Sequence, residues 1–217
     1  MFGWYYVHMK RNTLFFLGII LLVFGINNPM FFIWPLWIFV ALYRKQISSL
    51  ISPLSLPLAF IGSGVLFGLL IETFAILNNL PLPASERILL SPDPFTDLFL
   101  GFFYYFFVVT TWYLLLRKIS FSKTDVFVLT GLLGVATEQG GAILFGVFTT
   151  PLGIPLALLI AVVYALFPFL AYLVTEERFG TARTLRKIWH YPLAALALFV
   201  QWAIFGLFVL PFLKSLL

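Results

Sequence analysis

The chain has 217 residues, of which 62% are hydrophobic and only 10% charged, with a net charge of +5 and a mean hydropathy of +1.07. A soluble domain is roughly half apolar and about a quarter charged. The excess excludes a soluble globule and a disordered chain, and the absence of Cys excludes a disulfide scaffold, thiolate metal sites and Cys nucleophiles.

What remains is an all-α, polytopic transmembrane helical bundle in one domain covering residues 1–217. Stretches without Lys or Arg predict seven spans, at 13–26, 30–43, 56–78, 96–116, 126–148, 153–175 and 191–213. The last five are long enough to cross a hydrocarbon core of ~30 Å at about 1.5 Å per residue. The first two are short and meet at Asn27-Asn28-Pro29, so residues 13–43 predict a helical hairpin that either crosses fully or dips in and returns. Residues 1–12 precede it as a cytoplasmic N-terminus. The connection 79–95 carries Pro81, Pro83, Pro92 and Pro94, which forbid a regular helix and leave an exposed loop or a lid.

Charge placement orients the spans. Lys10, Arg11, Arg44, Lys45, Arg117, Lys118, Lys123, Arg178, Arg183, Arg186 and Lys187 fall on one side, and Arg87 and Lys214 on the other. The positive-inside tendency places the N-terminus in the cytoplasm and the C-terminus outside, in a multi-pass protein of the cell membrane. Trp34, Trp37, Trp112, Trp189 and Trp202 lie near span ends, where a belt of amphipathic rings is expected. The basic residues are spread over several connectors rather than clustered on one face, which argues against nucleic acid as a partner. Membrane lipid, including anionic lipid at 178–187, a lipophilic small molecule and further copies of the chain are the expected partners.

Spans 3–4 (56–116) and 5–6 (126–175) suggest a parallel internal repeat. Gly68 precedes Glu72 as Gly134 precedes Glu138, and Tyr105 and Tyr113 parallel Tyr164 and Tyr172. Chance similarity in a Leu- and Phe-rich chain is the competing explanation.

Chemistry concentrates on two acids deep inside spans, Glu72 and Glu138, while Glu86, Asp93 and Asp97 count as charges of the connector before span 4. An ionisable side chain costs at least about 2.5 kcal/mol in hydrocarbon and marks a functional site by default. Glu72 and Glu138 are expected at similar depth in helices running the same way, facing one cavity if spans 3 and 5 adjoin. The bland alternative is packing glue between helices. Thr73, Asn78, Thr137, Gln139 and Gln201 are candidate polar companions, and Tyr104, Tyr105 and Tyr164 candidate hydroxyls or ring faces for a substrate. Gly140-Gly141 reads as a small helix face, for close packing or as room for a flat ligand. His8 and His190 lack ligand spacing, so no metal and no cofactor are expected. Hydrolase, zinc-protease and phosphate-loop motifs are absent.

Over residues 64–175 the chain resembles the integral-membrane carotenoid biosynthesis proteins that include carotenoid hydratases. Glu72 stands nine residues before Pro81, similar to that family's Glu-to-Pro spacing. Glu138, Phe145-Gly146 and Pro151-Leu-Gly-Ile-Pro155-Leu are similar to its second acid and the start of its next helix. The family's Phe-Gly-x-Tyr-x-Tyr run, its second-half Asp-Pro and its Asn-Phe-x-Gly-Trp element are absent. The resemblance implies a membrane enzyme that protonates a double bond of an isoprenoid lipid, leading to hydration or cyclisation, with Glu72 or Glu138 as the acid. A small proton- or cation-coupled transporter using the same two acids, and a scaffold without turnover, are the alternatives.

Overall fold

A computed structural model describes residues 2–180 and 183–217, with side chains from residue 12 onward. The side chains of His8, Lys10 and Arg11 lie outside the described residues. The fold is almost entirely helical. Helix α1 (Phe2–Asn27) stops where Asn28 turns extended ahead of Pro29, since a residue before proline is steered away from the helical region. A short 3-10 turn (Pro29–Phe32) leads into α2 (Ile33–Leu42), which returns along α1. Gly18 lies against Ile38 and Phe39, and Gly25 against Phe32, which fixes the pair as an antiparallel hairpin. Helix α3 (Arg44–Leu50) follows.

The rest of the chain forms the bundle: α4 (Leu56–Asn79), α5 (Pro94–Lys118), α6 (Lys123–Thr137), α7 (Ala142–Thr149), α8 (Gly153–Thr175), α9 (His190–Ile204) and, beyond a π-turn at Phe205–Val209, α10 (Leu210–Ser215). Five helical segments are long and apolar enough to cross a membrane: Leu56–Asn79, Pro94–Lys118, Lys123–Thr149, Gly153–Arg178 and His190–Ser215. The apolar stretches Asn12–Asn27 and Pro29–Leu42 are shorter. Large apolar side chains cover the outer surface of these segments, with Phe148, Leu207 and Phe208 among the most exposed. Such a surface suits lipid and not water.

The expected span at 126–148 is present as Lys123–Thr149, and within it α6 and α7 are joined through a break at Glu138–Gly141. Trp112 is not a belt residue. It is fully buried, and its indole Nε1 donates to Thr130 Oγ1 at 2.8 Å, tying α5 to α6. Buried Trp N–H groups need such a partner.

Helix α8 is the central strut. It packs along α4 and α6, while α5 lies along α4, and α9 covers α5 and α6. Small residues set the close crossings: a Cβ at Gly64 would collide with Val109, and one at Gly131 would come within 2.9 Å of the Ala161 carbonyl oxygen.

The basic connectors gather at one end. Strands β1 (Ile119–Ser120) and β2 (Thr184–Leu185) pair in parallel and join the α5–α6 connector to the α8–α9 connector. Arg178 donates to the carbonyls of Ile51 and Leu54, and Arg183 to the Tyr172 hydroxyl. Lys123 pairs with Glu176, and Arg186 with Asp125 at 3.3 Å. Asp125 also closes the capping box with Ser122 at the start of α6.

At the opposite end the segment 80–93 is organised and not slack. The Arg87 guanidinium donates to the carbonyls of Leu80, Leu82 and Pro92 at 2.9–3.2 Å, and Asn79 Oδ1 accepts from the Ile88 amide. The Ser91 amide donates to Asp97 Oδ1 at 3.0 Å, anchoring the segment to the first turn of α5. Arg87→Ala is therefore expected to speed limited proteolysis within 80–93 several-fold while leaving the melting midpoint of the bundle within a few degrees of wild type. Unchanged cleavage would mean that Arg87 does not hold the segment.

Candidate active site

The site begins with a spacing rule. On α4, Gly64, Gly68 and Glu72 recur every four residues and share one face. On α5, Asp97, Gly101 and Tyr105 do the same. The two faces meet. A Cβ at Gly68 would overlap the Tyr105 ring, so the glycine is the notch that admits the ring between the helices. The ring then carries its hydroxyl to Glu72 Oε2, to which it donates. A Cβ at Gly101 would stand 3.5 Å from Glu72 Cγ, so the acid's stem runs over that glycine.

The second acid is held in the same way by different helices. A Cβ at Gly134 of α6 would overlap the Tyr164 ring of α8, and the Tyr164 hydroxyl donates to Glu138 Oε2. Each carboxyl is thus paired with a tyrosine of the neighbouring helix, through a glycine one turn before the acid.

Tyr104 joins the two halves. Its ring lies edge-on to Tyr105 at 5.4 Å, to Tyr164 at 6.2 Å and to Phe205 at 5.5 Å between centroids. It thus stands between the two tyrosines that donate to Glu72 and Glu138. Helices α4 and α6 are linked through α8, which packs against both, so one cluster forms across α5 and α8.

A third acid completes the cluster and was not among the expected residues. Asp97 is fully buried beside Glu72; its Oδ1 accepts from Ser91, and its Oδ2 has no hydrogen-bond partner among the described residues. Its four- and eight-residue spacing to Gly101 and Tyr105 was the available signal.

The break after α6 is also part of the site. Gln139, Gly140 and Gly141 all have positive φ, at 50°, 66° and 92°. Two glycines accept that conformation freely, whereas Gln139 carries a penalty of roughly 1–2 kcal/mol. A Cβ at Gly140 would meet nothing within 4 Å and one at Gly141 only the Ala136 carbonyl oxygen of the preceding turn at 3.5 Å, so this pair serves the backbone turn and not packing against another helix, which corrects the expectation. Discontinuous helices place irregular backbone and free helix ends at depth in the bundle.

The other expected residues divide. Tyr104, Tyr105 and Tyr164 belong to the cluster. Thr137 is buried next to Glu138, but its hydroxyl donates back to the Leu133 carbonyl at 2.8 Å. Gln139 points to the exterior as an exposed residue of the break. Thr73 donates to the Leu69 carbonyl and lines a separate groove of about 300 Å³ with Leu66, Leu98 and Phe102. Asn78 is half-buried about 9 Å further along α4 than Glu72. Gln201 is buried in another groove, between α5 and α9. Among the described residues, no three His, Asp or Glu side chains converge as a metal-binding group.

No protein-family model, curated protein or solved structure matches the chain.

The glycine–tyrosine–acid contacts predict specific costs. Gly68→Ala or Gly134→Ala drives a methyl group into a packed ring and is expected to lower stability in detergent by about 1–3 kcal/mol. Tyr105→Phe and Tyr164→Phe, which keep the ring and remove the donor, are each expected to cost about 1–3 kcal/mol. Thermal unfolding of the purified variants checks both, and wild-type midpoints would show that the notches and hydroxyls do not hold the acids.

Proposed function

We propose that the protein is a membrane-embedded enzyme that protonates a carbon–carbon double bond of an isoprenoid lipid. The observation that carries this reading is the convergence of Glu72 and Glu138 on one wall of tyrosine and phenylalanine rings. The chemistry needs a carboxylic acid carrying its proton in a site without bulk water, and aromatic faces near the cation that forms. One carboxyl gives its proton to a terminal double bond, leaving a tertiary carbocation over the rings of Tyr104, Tyr105 and Tyr164. In hydration, water adds to the cation and its surplus proton goes to the other carboxylate. In cyclisation, a second double bond of the chain attacks the cation, and that carboxylate removes the proton from the adjacent carbon. The resemblance to the carotenoid hydratase group over residues 64–175 supports the same class of substrate.

In this reading the α1–α2 hairpin also crosses the bilayer. Seven crossings then leave the N-terminus and the basic end in the cytoplasm and the C-terminus outside, in the cell membrane. The shared arrangement of Gly68, Tyr105 and Glu72 with Gly134, Tyr164 and Glu138 supports descent of α4–α5 and α6–α8 from one duplicated hairpin.

A second reading is a proton- or cation-coupled transporter. The broken helix at Glu138 favours it, because transporters bind their cargo at such interruptions.

Co-expression in a lycopene-accumulating host tests the enzyme reading, with pigments separated by chromatography and weighed by mass spectrometry. A new pigment heavier by one water indicates a hydratase, and one of unchanged mass a cyclase. Either is expected to vanish, by at least about 10²-fold, in Glu72→Gln or Glu138→Gln, as for loss of a general acid or base. An unchanged pigment profile from correctly inserted protein would contradict lycopene as substrate. Acid-dependent proton flux in proteoliposomes would then establish the transporter.

A further inference from the structure

The groove between α5 and α9 has a volume of about 640 Å³ and opens sideways on the outer surface of the bundle. That volume lies within the range of about 300–1,000 Å³ that holds small ligands. Its walls are apolar except at four points: Lys118 at the basic end, and Thr110, Thr111 and Gln201 deeper in, of which the Thr111 hydroxyl already donates to the Phe107 carbonyl. Thr110 is two turns before Lys118 on α5, or about 12 Å, and Gln201 is about 16 Å from the start of α9.

Thr110 and Gln201 are unpartnered. Gln201 is only 6% exposed, and neither its Nε2 nor its Oε1 makes a hydrogen bond among the described residues. Thr110 Oγ1 is buried and equally unpaired. This sets Thr110 apart from Thr73, Thr111, Thr130, Thr137 and Thr175, each of which donates to the carbonyl four residues back in its own helix. Leaving a buried amide unsatisfied costs on the order of 1–3 kcal/mol or more, and no bulk water reaches such a depth in a bilayer.

The missing partner can be specified by chemistry. Gln201 offers two N–H donors and one acceptor, and Thr110 one donor and an acceptor. A hydrocarbon satisfies none of them. A ketone or quinone oxygen accepts but cannot donate, so Gln201 Oε1 stays orphaned. A hydroxyl donates to Gln201 Oε1 and accepts from Thr110 or from the Gln201 amide of the same pair. We propose that the α5–α9 groove is a binding site for a lipid alcohol, a long apolar chain bearing one hydroxyl, which Gln201 and Thr110 hold at depth.

The groove is distinct from the acid cluster. Phe205 stands between them, packing on Tyr104 on one side and on Phe107, a groove wall, on the other. The proposal therefore stands whether or not the acids protonate a double bond.

The test is equilibrium binding of tritiated geranylgeraniol and tritiated oleyl alcohol to the purified full chain in nanodiscs, with squalene as a hydrocarbon competitor. At least one alcohol is expected to bind saturably. Gln201→Leu is expected to weaken it at least about tenfold and Thr110→Val several-fold, the scale of one lost buried hydrogen bond. Both variants replace a polar group by an apolar one, and wild-type or higher melting midpoints verify that they fold. Glu72→Gln and Glu138→Gln are expected to bind as wild type. The alcohol that binds more tightly assigns the chain class, prenyl or straight. Equal competition by squalene, or binding that ignores Gln201→Leu, overturns the proposal. So does absence of alcohol binding together with a dimer that Gln201→Leu converts to monomer, because the groove partner is then a second copy of the chain.

Discussion

A carboxyl group inside an apolar helical bundle must find hydrogen-bond partners there, and this requirement organises the centre of the fold. Glu72 and Glu138 each take a hydroxyl from a tyrosine on the adjacent helix. The ring that carries each hydroxyl packs against the acid's own helix at Gly68 or Gly134, where any Cβ would overlap it. Helix spacing, ring position and acid geometry are thus one constraint expressed twice. Tyr104 and the shared strut α8 turn the two acid–tyrosine pairs into a single cluster.

The two ends of the bundle support this centre in different ways. The basic end is rigidified by connectors that hold one another through a short parallel strand pair, two ion pairs and the Arg178 and Arg183 contacts. Such partly exposed ion pairs contribute little stability individually, about 0–1 kcal/mol each, and they act here mainly to fix the relative position of the helix ends. The opposite end is closed by a segment wound around Arg87 and fastened to the buried Asp97, one turn before the Gly101 over which the Glu72 stem runs. A change in that segment is therefore mechanically connected to the cluster beneath it.

Hydropathy and charge made the five long helices legible in the sequence, since these depend on composition over some twenty residues. Glu72 and Glu138 stood out too, because an acid in an apolar span is conspicuous. Other features were not. Asp97 sits one turn inside α5, next to the polar loop, and read as a loop charge although its side chain is buried. Gly140 and Gly141 suit either a packing face or a left-handed turn, and only the backbone conformation distinguishes them. Trp112 stands near a span end in sequence, yet a hydrogen bond to Thr130 draws it into the core. Gln201 and Thr73 share the polarity of the site residues, but helix rotation turns them into separate grooves. Rotation about a helix axis is set by neighbours, and a single sequence whose apolar residues cover all faces carries little record of it.

The proposed chemistry requires Glu72 and Glu138 to belong to one site. A double-mutant cycle measures this most directly, using the unfolding free energies in detergent of Glu72→Gln, Glu138→Gln and the doubly substituted chain. One connected cluster predicts a coupling energy of about 0.5–3 kcal/mol between the two substitutions. Additivity within about 0.3–0.5 kcal/mol would mean two independent acids in separate surroundings, and would contradict the account.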